Sequence, residues 1–232
     1  MNEHDRRIAA MFDRVAPRYD MLNRVLSFGR DLAWRRRAIA LTALPHGGRA
    51  ADVGAGTGDL ALALLRSSEP PTAVTAIDLS RAMLERYAAR ARRAGLADRA
   101  ASVLASAEAL PFGDASLDRI VSGFTVRNVG DLPRAFAEFR RVLRPGGRAV
   151  VLELSHPYRG FAPLYHLYFD HLTPRLATLL GGDAEAHRYL PRSLAAFPGA
   201  DALAGLLRQA GFARVRHERL TLGIAAIHVA ET

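Results

Sequence analysis

Residues 50–59 read Ala-Ala-Asp-Val-Gly-Ala-Gly-Thr-Gly-Asp. The first four form a short apolar strand, the glycines predict a tight turn, and a helix begins at Leu60. Glycines let a ligand approach bare main chain, and the N-terminus of the helix offers unpaired N–H groups. Asp78 lies 20 residues after Gly58, at the end of the next predicted strand, where a carboxylate can accept hydrogen bonds from both ribose hydroxyls. The pattern therefore predicts an adenosine-bearing cofactor at the C-terminal edge of a parallel sheet.

Short strands and helices alternate beyond this turn, which predicts a parallel, doubly wound sheet. The predicted strands cover residues 50–53, 73–77, 101–104, 117–121 and 148–154, and the predicted helices between them cover 60–66, 81–94 and 133–143. Three further helices are predicted ahead of the sheet, over 6–15, 19–26 and 32–44. A helix over 201–210 precedes two strands, 213–216 and 222–229, which lie too close in sequence for a crossover and must pair antiparallel.

We expect one domain over residues 1–232, a length that suits a single α/β unit with a modest insertion. Its predicted parts are an N-terminal helical lid (1–46), a cofactor-binding core (47–155), a substrate-side insertion (156–200) and a closing helix with two strands (201–232). Residues 156–200 interrupt the alternation with Pro, Gly, His and aromatic side chains, which is why they read as an insertion.

Composition excludes several kinds of chemistry. The chain has no cysteine, which excludes disulfides, thiolate zinc sites, iron–sulfur clusters and a cysteine nucleophile. All 32 basic residues are arginine, so a Schiff-base lysine and a P-loop lysine are excluded as well. His166 and His171 are five residues apart and no third ligand completes a site, so no metal is expected.

The net charge of +9 would suit nucleic acid or an anionic membrane. The arginines, however, are spread along the chain in groups such as 35–37, 90–93 and 140–141, which are typical of solvated helix faces. We therefore expect no nucleic-acid partner. The polar N-terminus does not resemble a secretion signal, and no apolar run approaches the roughly 20 residues of a membrane-spanning helix, so we expect a cytoplasmic protein.

The class of cofactor depends on Asp59, which takes the sixth place of a dinucleotide fingerprint counted from Gly54. An acid there would face a pyrophosphate, which disfavours a nicotinamide cofactor. The loop instead resembles the S-adenosyl-L-methionine loop of Rossmann-like methyltransferases, a seven-stranded fold whose last strand is antiparallel and which Arg-Pro-Gly-Gly at 144–147 also matches. Ser106, through its hydroxyl, and Ala107, through its N–H, are the candidates for adenine contacts. The cofactor-binding residues predicted under this resemblance are Asp52, Gly54, Gly56, Thr57, Asp78, Ser106, Ala107 and Gly123.

Further motifs resemble those of the ubiquinone/menaquinone-biosynthesis C-methyltransferases. They include Met-Phe-Asp-Arg-Val-Ala-Pro-Arg-Tyr-Asp at 11–20, Phe-Thr-Val-Arg-Asn at 124–128, Leu-Glu-Leu-Ser at 152–155 and Arg-Tyr-Leu-Pro-Arg-Ser at 188–193. The resemblance extends from about residue 8 to 228 and implies methyl transfer to a ring carbon of a prenylated quinol such as demethylmenaquinol. Three positions differ from the family pattern: Thr125 replaces a glycine, Gly123 a serine, and Arg192 an acid.

The chemistry implied by this resemblance gives Arg127 a role. A ring carbon is a poor nucleophile until the neighbouring hydroxyl loses its proton, and arginine cannot be the base because its pKa exceeds about 12. Arg127 can instead stabilise the phenolate or orient a water that carries the proton away. Asn128 is expected to hold a second ring oxygen and Tyr19 to cap the pocket. For Arg127 and Asn128, the alternatives are an Arg–acid pair and an asparagine turn at the surface. For Tyr19, the alternative is an aromatic ring packed between helices.

Other interpretations stay open at this stage. The acceptor could be another small phenolic or lipid molecule. The apolar residues over 163–180 suit a prenyl tail or a bilayer surface, and equally plain core packing. The sequence also leaves open peripheral contact at the inner face of the membrane and assembly as a homodimer.

Overall fold

The computed structural model describes residues 2–68, 72–158, 160–161, 163 and 184–232. Seven strands form one sheet in the order β3-β2-β1-β4-β5-β7-β6. Strands β1 to β5 pair in parallel, whereas β7 runs antiparallel to both β5 and β6. This topology confirms the predicted Rossmann-like sheet with its reversed last strand. The strands are β1 (Arg49–Val53), β2 (Ala73–Asp78), β3 (Ala100–Leu104), β4 (Leu117–Gly123), β5 (Leu143–Leu154), β6 (Arg214–Leu220) and β7 (Ala225–Glu231).

Helices cover both faces of the sheet. Leu60 and Tyr87 belong to the apolar core on one face, and Phe136 and Leu207 belong to the core on the other. Because both faces are covered, the central strands β1 and β4 are buried along most of their length. The α-helices in the described residues are α1 (Glu3–Val15), α2 (Tyr19–Leu26), α3 (Arg30–Thr42), α4 (Asp59–Ser67), α5 (Arg81–Arg93), α6 (Leu132–Val142), α7 (Ala184–Ala196) and α8 (Ala200–Gln209).

Polar side chains cap several helix starts. Asn2 accepts a hydrogen bond from the Asp5 N–H, Ser80 from the Met83 N–H and Asp131 from the Arg134 N–H. Each cap satisfies a main-chain donor that the first turn leaves without a partner. None of the helices in the part of the chain that the structure describes is long and apolar enough to cross a membrane.

The C-terminal hairpin begins and ends later than predicted. Leu222 and Gly223 have φ angles of 56° and 89°, and a residue in the left-handed region cannot continue a strand. Strand β7 therefore starts at Ala225 rather than at Leu222, and β6 extends to Leu220, which pairs with Ala225. Strand β5, in contrast, begins earlier than predicted, at Leu143 rather than at Arg148, because Leu143 pairs with Leu117 ahead of a register shift.

The N-terminal helices α1 and α3 pack against different elements. Helix α1 packs against α5 and α7, whereas α3 packs against α4, β4 and β5, with Trp34 buried in the core. The predicted insertion contains helix α7. Within the predicted apolar segment 163–180, residues 164–180 lie outside the described residues.

A candidate active site at the C-terminal ends of the strands

The loop between β1 and α4 has a shape that requires glycine. Gly54 and Gly58 have φ angles of +70° and +86°, which favour glycine over any residue with a Cβ. A Cβ on Gly54 would lie 2.0 Å from Thr125 Cγ2, and one on Gly58 would lie 2.1 Å from Tyr87 Cδ2. Thr125 therefore packs directly on the loop and donates a hydrogen bond to the Gly54 carbonyl.

Asp78 joins this loop to the end of β2. Its Oδ2 accepts the Gly56 N–H at 2.7 Å and its Oδ1 accepts the Ser80 N–H at 2.8 Å. Burial raises the pKa of the Asp78 carboxyl, although the N–H donors of Ser80 and Gly56 act in the opposite direction. Each carboxylate oxygen has a second lone pair, so Asp78 can hold the loop and still accept hydrogen bonds from a ligand.

A cleft opens above the loop, with about 620 Å³ of empty space that includes open solvent. We call it the loop cleft. Three acids, Asp5, Asp78 and Glu108, line it, and no arginine is among the described residues of its wall. One sign of charge along a cleft attracts a ligand of the opposite sign. The predicted site residues that line it are Tyr19, Gly54, Gly56, Asp78, Ser106, Ala107 and Asn128.

Asp52, predicted as a cofactor residue, lies beneath the loop and not in the wall of the cleft. Its side chain is 1% exposed, and its Oδ2 accepts the Ala61 N–H at 2.9 Å. Burial raises the pKa of Asp52 to about 7. Asp52 therefore stabilises the first turn of α4. It can influence a bound ligand only indirectly, by holding the loop in place.

Two further predicted cofactor residues also lie outside the wall of the cleft. The Thr57 hydroxyl donates to Asp20 on α2 at 2.7 Å and accepts from Arg90 at 2.8 Å. Gly123 packs against Leu60, whose Cδ1 would lie 2.7 Å from an added Cβ. Thr57 therefore ties the loop to the N-terminal helices, and Gly123 allows α4 to approach β4. Neither contact could be deduced from the loop motif alone.

Arg127 forms a buried ion pair with Glu153 of β5. Arg127 Nη1 lies 2.6 Å from Glu153 Oε1, and the two side chains are 8% and 1% exposed. The Arg127 N–H also donates to Glu153 Oε2 at 3.2 Å. Burial disfavours the charge of Arg127, but the Glu153 carboxylate prevails and raises the pKa of the guanidinium. An Arg–acid pair was foreseen as an alternative, but at the surface. Glu153 itself was missed, although an acid inside an apolar strand signals a buried partner.

Arg127 does not line the loop cleft. It lines a second, larger cavity of about 1260 Å³ beside it, together with His4, Arg7, Tyr189 and Arg192. We call this cavity the arginine chamber. The predicted catalytic residues are therefore divided between two adjoining spaces.

The loop cleft and the arginine chamber share the side chains Ile8 and Val129 as a common wall. Tyr19 lies near this boundary: burial raises the pKa of its hydroxyl, while the charges of Arg35 and Arg127 lower it. Asn128 donates a long hydrogen bond of 3.4 Å to the Phe124 carbonyl. Its buried Oδ1 has no hydrogen-bond partner among the described residues, so this oxygen is available to a donor on a ligand.

Charged side chains hold the N-terminal helices over the loop cleft. Asp13 of α1 accepts hydrogen bonds from the Ser80 hydroxyl and the Ala82 N–H. Asp20 of α2 accepts from Arg90 at 3.3 Å, and Arg90 also pairs with Asp59 at 2.7 Å. These acids were not predicted, although Asp13 and Asp20 lie in the motif at 11–20. Among the described residues, no group of three or more histidine, aspartate or glutamate side chains could hold a metal ion.

Several solved structures with the same fold are described as S-adenosyl-L-methionine-dependent methyltransferases. A S-adenosyl-L-methionine-dependent methyltransferase from Thermotoga maritima, described as a possible histamine N-methyltransferase, matches with a TM-score of 0.69 and 19% identity, over 96% of this chain and 98% of that chain. The [4+2]-cyclase SpnF matches with a TM-score of 0.73 and 21% identity, over 98% and 96%. The fold is thus that of the S-adenosyl-L-methionine-dependent methyltransferases. Because a cyclase shares it, the fold alone does not specify the reaction.

The model of the ubiE/COQ5 methyltransferase family matches residues 1–232, and the chain belongs to this family. A demethylmenaquinone methyltransferase from Thermus thermophilus is 46% identical over 222 residues, which are 95% of this chain and 99% of that protein. A ubiquinone/menaquinone biosynthesis C-methyltransferase UbiE from Geotalea daltonii is 40% identical over 232 residues, 100% of this chain and 98% of that protein. The family predicted from the motifs is confirmed.

Proposed function

We propose that this protein is a S-adenosyl-L-methionine-dependent C-methyltransferase that methylates a ring carbon of a prenylated quinol, with demethylmenaquinol as the acceptor. One observation carries the proposal beyond family membership. A cleft lined by acids adjoins a chamber lined by arginines, and the two share the wall formed by Ile8 and Val129. A positively charged methyl donor and an electron-rich acceptor need such a pair of spaces.

The loop cleft fits S-adenosyl-L-methionine. The bare main chain of Gly54 and Gly56 admits close approach, Asp78 would accept hydrogen bonds from the ribose, and Ser106 with Ala107 would contact the adenine. The cluster of Asp5, Asp78 and Glu108 suits a ligand whose sulfonium and ammonium groups are positive. When bound, the cofactor supplies an electrophilic methyl group: the ring provides the electron pair of the new C–C bond, and the pair of the broken S–CH₃ bond stays on sulfur.

Arg127 would act on the acceptor. Glu153 fixes its guanidinium in place and keeps it charged at all physiological pH values. A fixed cation beside the ring stabilises the negative charge that develops on the phenolic oxygen. The unpartnered Oδ1 of Asn128 would accept a hydrogen bond from a ring hydroxyl, and Tyr19 would close the space between the two reactants. The ring carbon loses one proton for each methyl group it gains, and water in the chamber can carry that proton away.

The acceptor also determines the surroundings that we propose. A prenyl tail partitions into the bilayer, so we propose that the enzyme is cytoplasmic and contacts the inner face of the membrane peripherally. A homodimer stays a prediction.

The direct test supplies the purified protein with methyl-labelled cofactor and chemically reduced demethylmenaquinone in detergent micelles. We expect the label to appear in a lipid that co-migrates with menaquinone. Arg127→Lys should retain binding of S-adenosylhomocysteine and lose most turnover, because lysine keeps the charge but not the planar guanidinium that bonds Glu153 and the Phe124 carbonyl. Arg93→Lys on the exposed face of α5 is the matched control and should turn over like the original protein. Label in another phenol but not in demethylmenaquinol would favour the alternative acceptor, and no labelled product would refute the proposal.

A further inference from the structure

The two adjoining spaces differ in charge. The wall of the loop cleft holds the acids Asp5, Asp78 and Glu108, whereas the wall of the arginine chamber holds Arg7, Arg127 and Arg192. Among the described residues that line the chamber there is no carboxylate. The spaces are thus built for ligands of opposite charge, and the chamber is built for an anion.

The three arginines of the chamber are not equivalent. Arg127 is buried, and Glu153 largely balances its charge. Arg7 on α1 and Arg192 on α7 are exposed, and neither forms an ion pair with a carboxylate of the described residues. The net positive charge of the chamber therefore comes from Arg7 and Arg192 and not from the buried pair.

Tyr189 shows how close these charges lie to one another. Burial raises the pKa of its hydroxyl, and the charges of Arg127 and Arg7 both lower it. The hydroxyl therefore lies within electrostatic reach of the inner arginine and of an outer one. His4 also lines the chamber, with its Nε2 hydrogen-bonded to the Asn128 carbonyl at 2.8 Å.

We propose that Arg7 and Arg192 bind a negatively charged oxygen of the acceptor, so that the chamber favours the phenolate over the neutral quinol. This inference rests on the proposed function for the identity of the ring. A para-quinol has an oxygen at each end, which suits one inner cation and a pair of outer ones.

Binding an anion has a chemical consequence. When the bound hydroxyl ionises, its proton leaves to the buffer and the remaining charge is delocalised onto the ring carbons. The chamber thus increases the fraction of bound acceptor that is in the nucleophilic form. Arg7 and Arg192 would be specificity-determining residues for this form, whereas Arg127 stabilises it next to the reacting carbon.

The test uses 4-nitro-1-naphthol, a phenol with a naphthalene ring whose ionised form is coloured. The dye is titrated with base in the presence of excess protein and S-adenosylhomocysteine, and its absorbance gives the pKa of the bound dye without any methyl transfer. We expect the bound dye to have a pKa about one unit below that of the free dye, which corresponds to tenfold preference for the anion. High salt should reduce the shift, because Arg7 and Arg192 are exposed.

Variants identify the residues responsible. Arg7→Gln and Arg192→Gln should each abolish about half of the shift, and Arg192→Lys should retain it because the charge is kept. Arg93→Gln changes the net charge equally at the exposed C-terminal end of α5, where the side chain lines neither space, and should leave the shift intact. Near-ultraviolet circular dichroism checks that each variant is folded.

The outcomes separate this inference from the proposed function. A bound dye whose pKa equals that of the free dye, a shift that survives the double variant of Arg7 and Arg192, or no binding of the dye would each overturn the inference. Labelled menaquinone in the transfer assay would still support the enzyme activity in those cases. A shift that depends on Arg7 and Arg192, combined with no methyl transfer to any quinol, would leave the anion site standing and refute the activity.

Discussion

Glu153→Gln removes the charge that balances Arg127 while keeping nearly the same side-chain shape. Three hydrogen bonds converge on the Glu153 carboxylate, from Arg127 Nη1 at 2.6 Å, the Arg127 N–H at 3.2 Å and the Leu154 N–H at 2.9 Å. A glutamine can accept with only one oxygen, so its amide NH2 would face at least one of these N–H donors. The change therefore leaves a cation that is 8% exposed without its counter-ion.

The size of the effect follows from this burial. Breaking a buried ion pair on one side costs about 3–5 kcal/mol in free energy of unfolding, because the remaining charge is desolvated and unpaired. For a chain of this length, that loss lowers the Tm by roughly 6–20 °C. Turnover should fall as well, since the guanidinium is no longer held against β5.

Urea unfolding followed by fluorescence measures this cost, because the chain has one tryptophan and Trp34 is 7% exposed in the core. The matched control is Glu218→Gln. Glu218 accepts two hydrogen bonds from Arg37, at 2.7 and 2.8 Å, but the side chains are 35% and 52% exposed, so its loss should cost less than about 1 kcal/mol. Replacing both partners, as in Arg127→Met with Glu153→Leu, should cost less than Glu153→Gln alone. Equal costs for Glu153→Gln and Glu218→Gln would refute the reasoning.

Three other changes test the loop cleft and the contacts that support its loop and helix α2. Asp78→Asn should weaken binding of S-adenosylhomocysteine by tenfold or more in calorimetry, because an amide has only one acceptor oxygen; unchanged affinity would remove Asp78 from the site. Burial holds the pKa of Asp52 at about 7, above the unfolded value of about 4, so the folded state binds the extra proton and its stability should decline as the pH rises between these values. Asp52→Asn cannot lose a proton, so its free energy of unfolding should depend less on pH, and parallel pH profiles would contradict this assignment. Asp20→Ala removes the contacts of α2 with Thr57 and Arg90, so amide hydrogen exchange should accelerate in α2 and not in α8; identical exchange in α2 would show that these contacts do not hold the helix.

The sequence predicted those features that depend on local chemistry. The glycine loop, Asp78 and the alternation of strands and helices were all deduced from short motifs, and the strand order confirms the fold class. The predicted strand boundaries in the C-terminal hairpin were wrong for a local reason that the hydrophobic pattern does not show. Leu222 is apolar and reads as part of a strand, yet its φ of 56° places it in a turn.

Contacts between segments that lie far apart in the chain could not be predicted from the sequence. Glu153 lies 26 residues from Arg127, and Asp20 lies 37 residues from Thr57. The motifs identified Arg127 and Thr57 as site residues, but they could not show which way the two side chains point. Thr57 turns toward α2, and Arg127 turns into the arginine chamber. The division into two spaces of opposite charge became visible only when α1 and α7 were in place.

The structure of the protein crystallised with S-adenosylhomocysteine tests the central claim most directly. Ligand density is expected in the loop cleft, with the ribose oxygens at hydrogen-bonding distance from Asp78 and the adenine edge beside Ser106 and Ala107. Density that fills only the arginine chamber, or a loop cleft that holds no ligand at saturating concentration, would contradict the account.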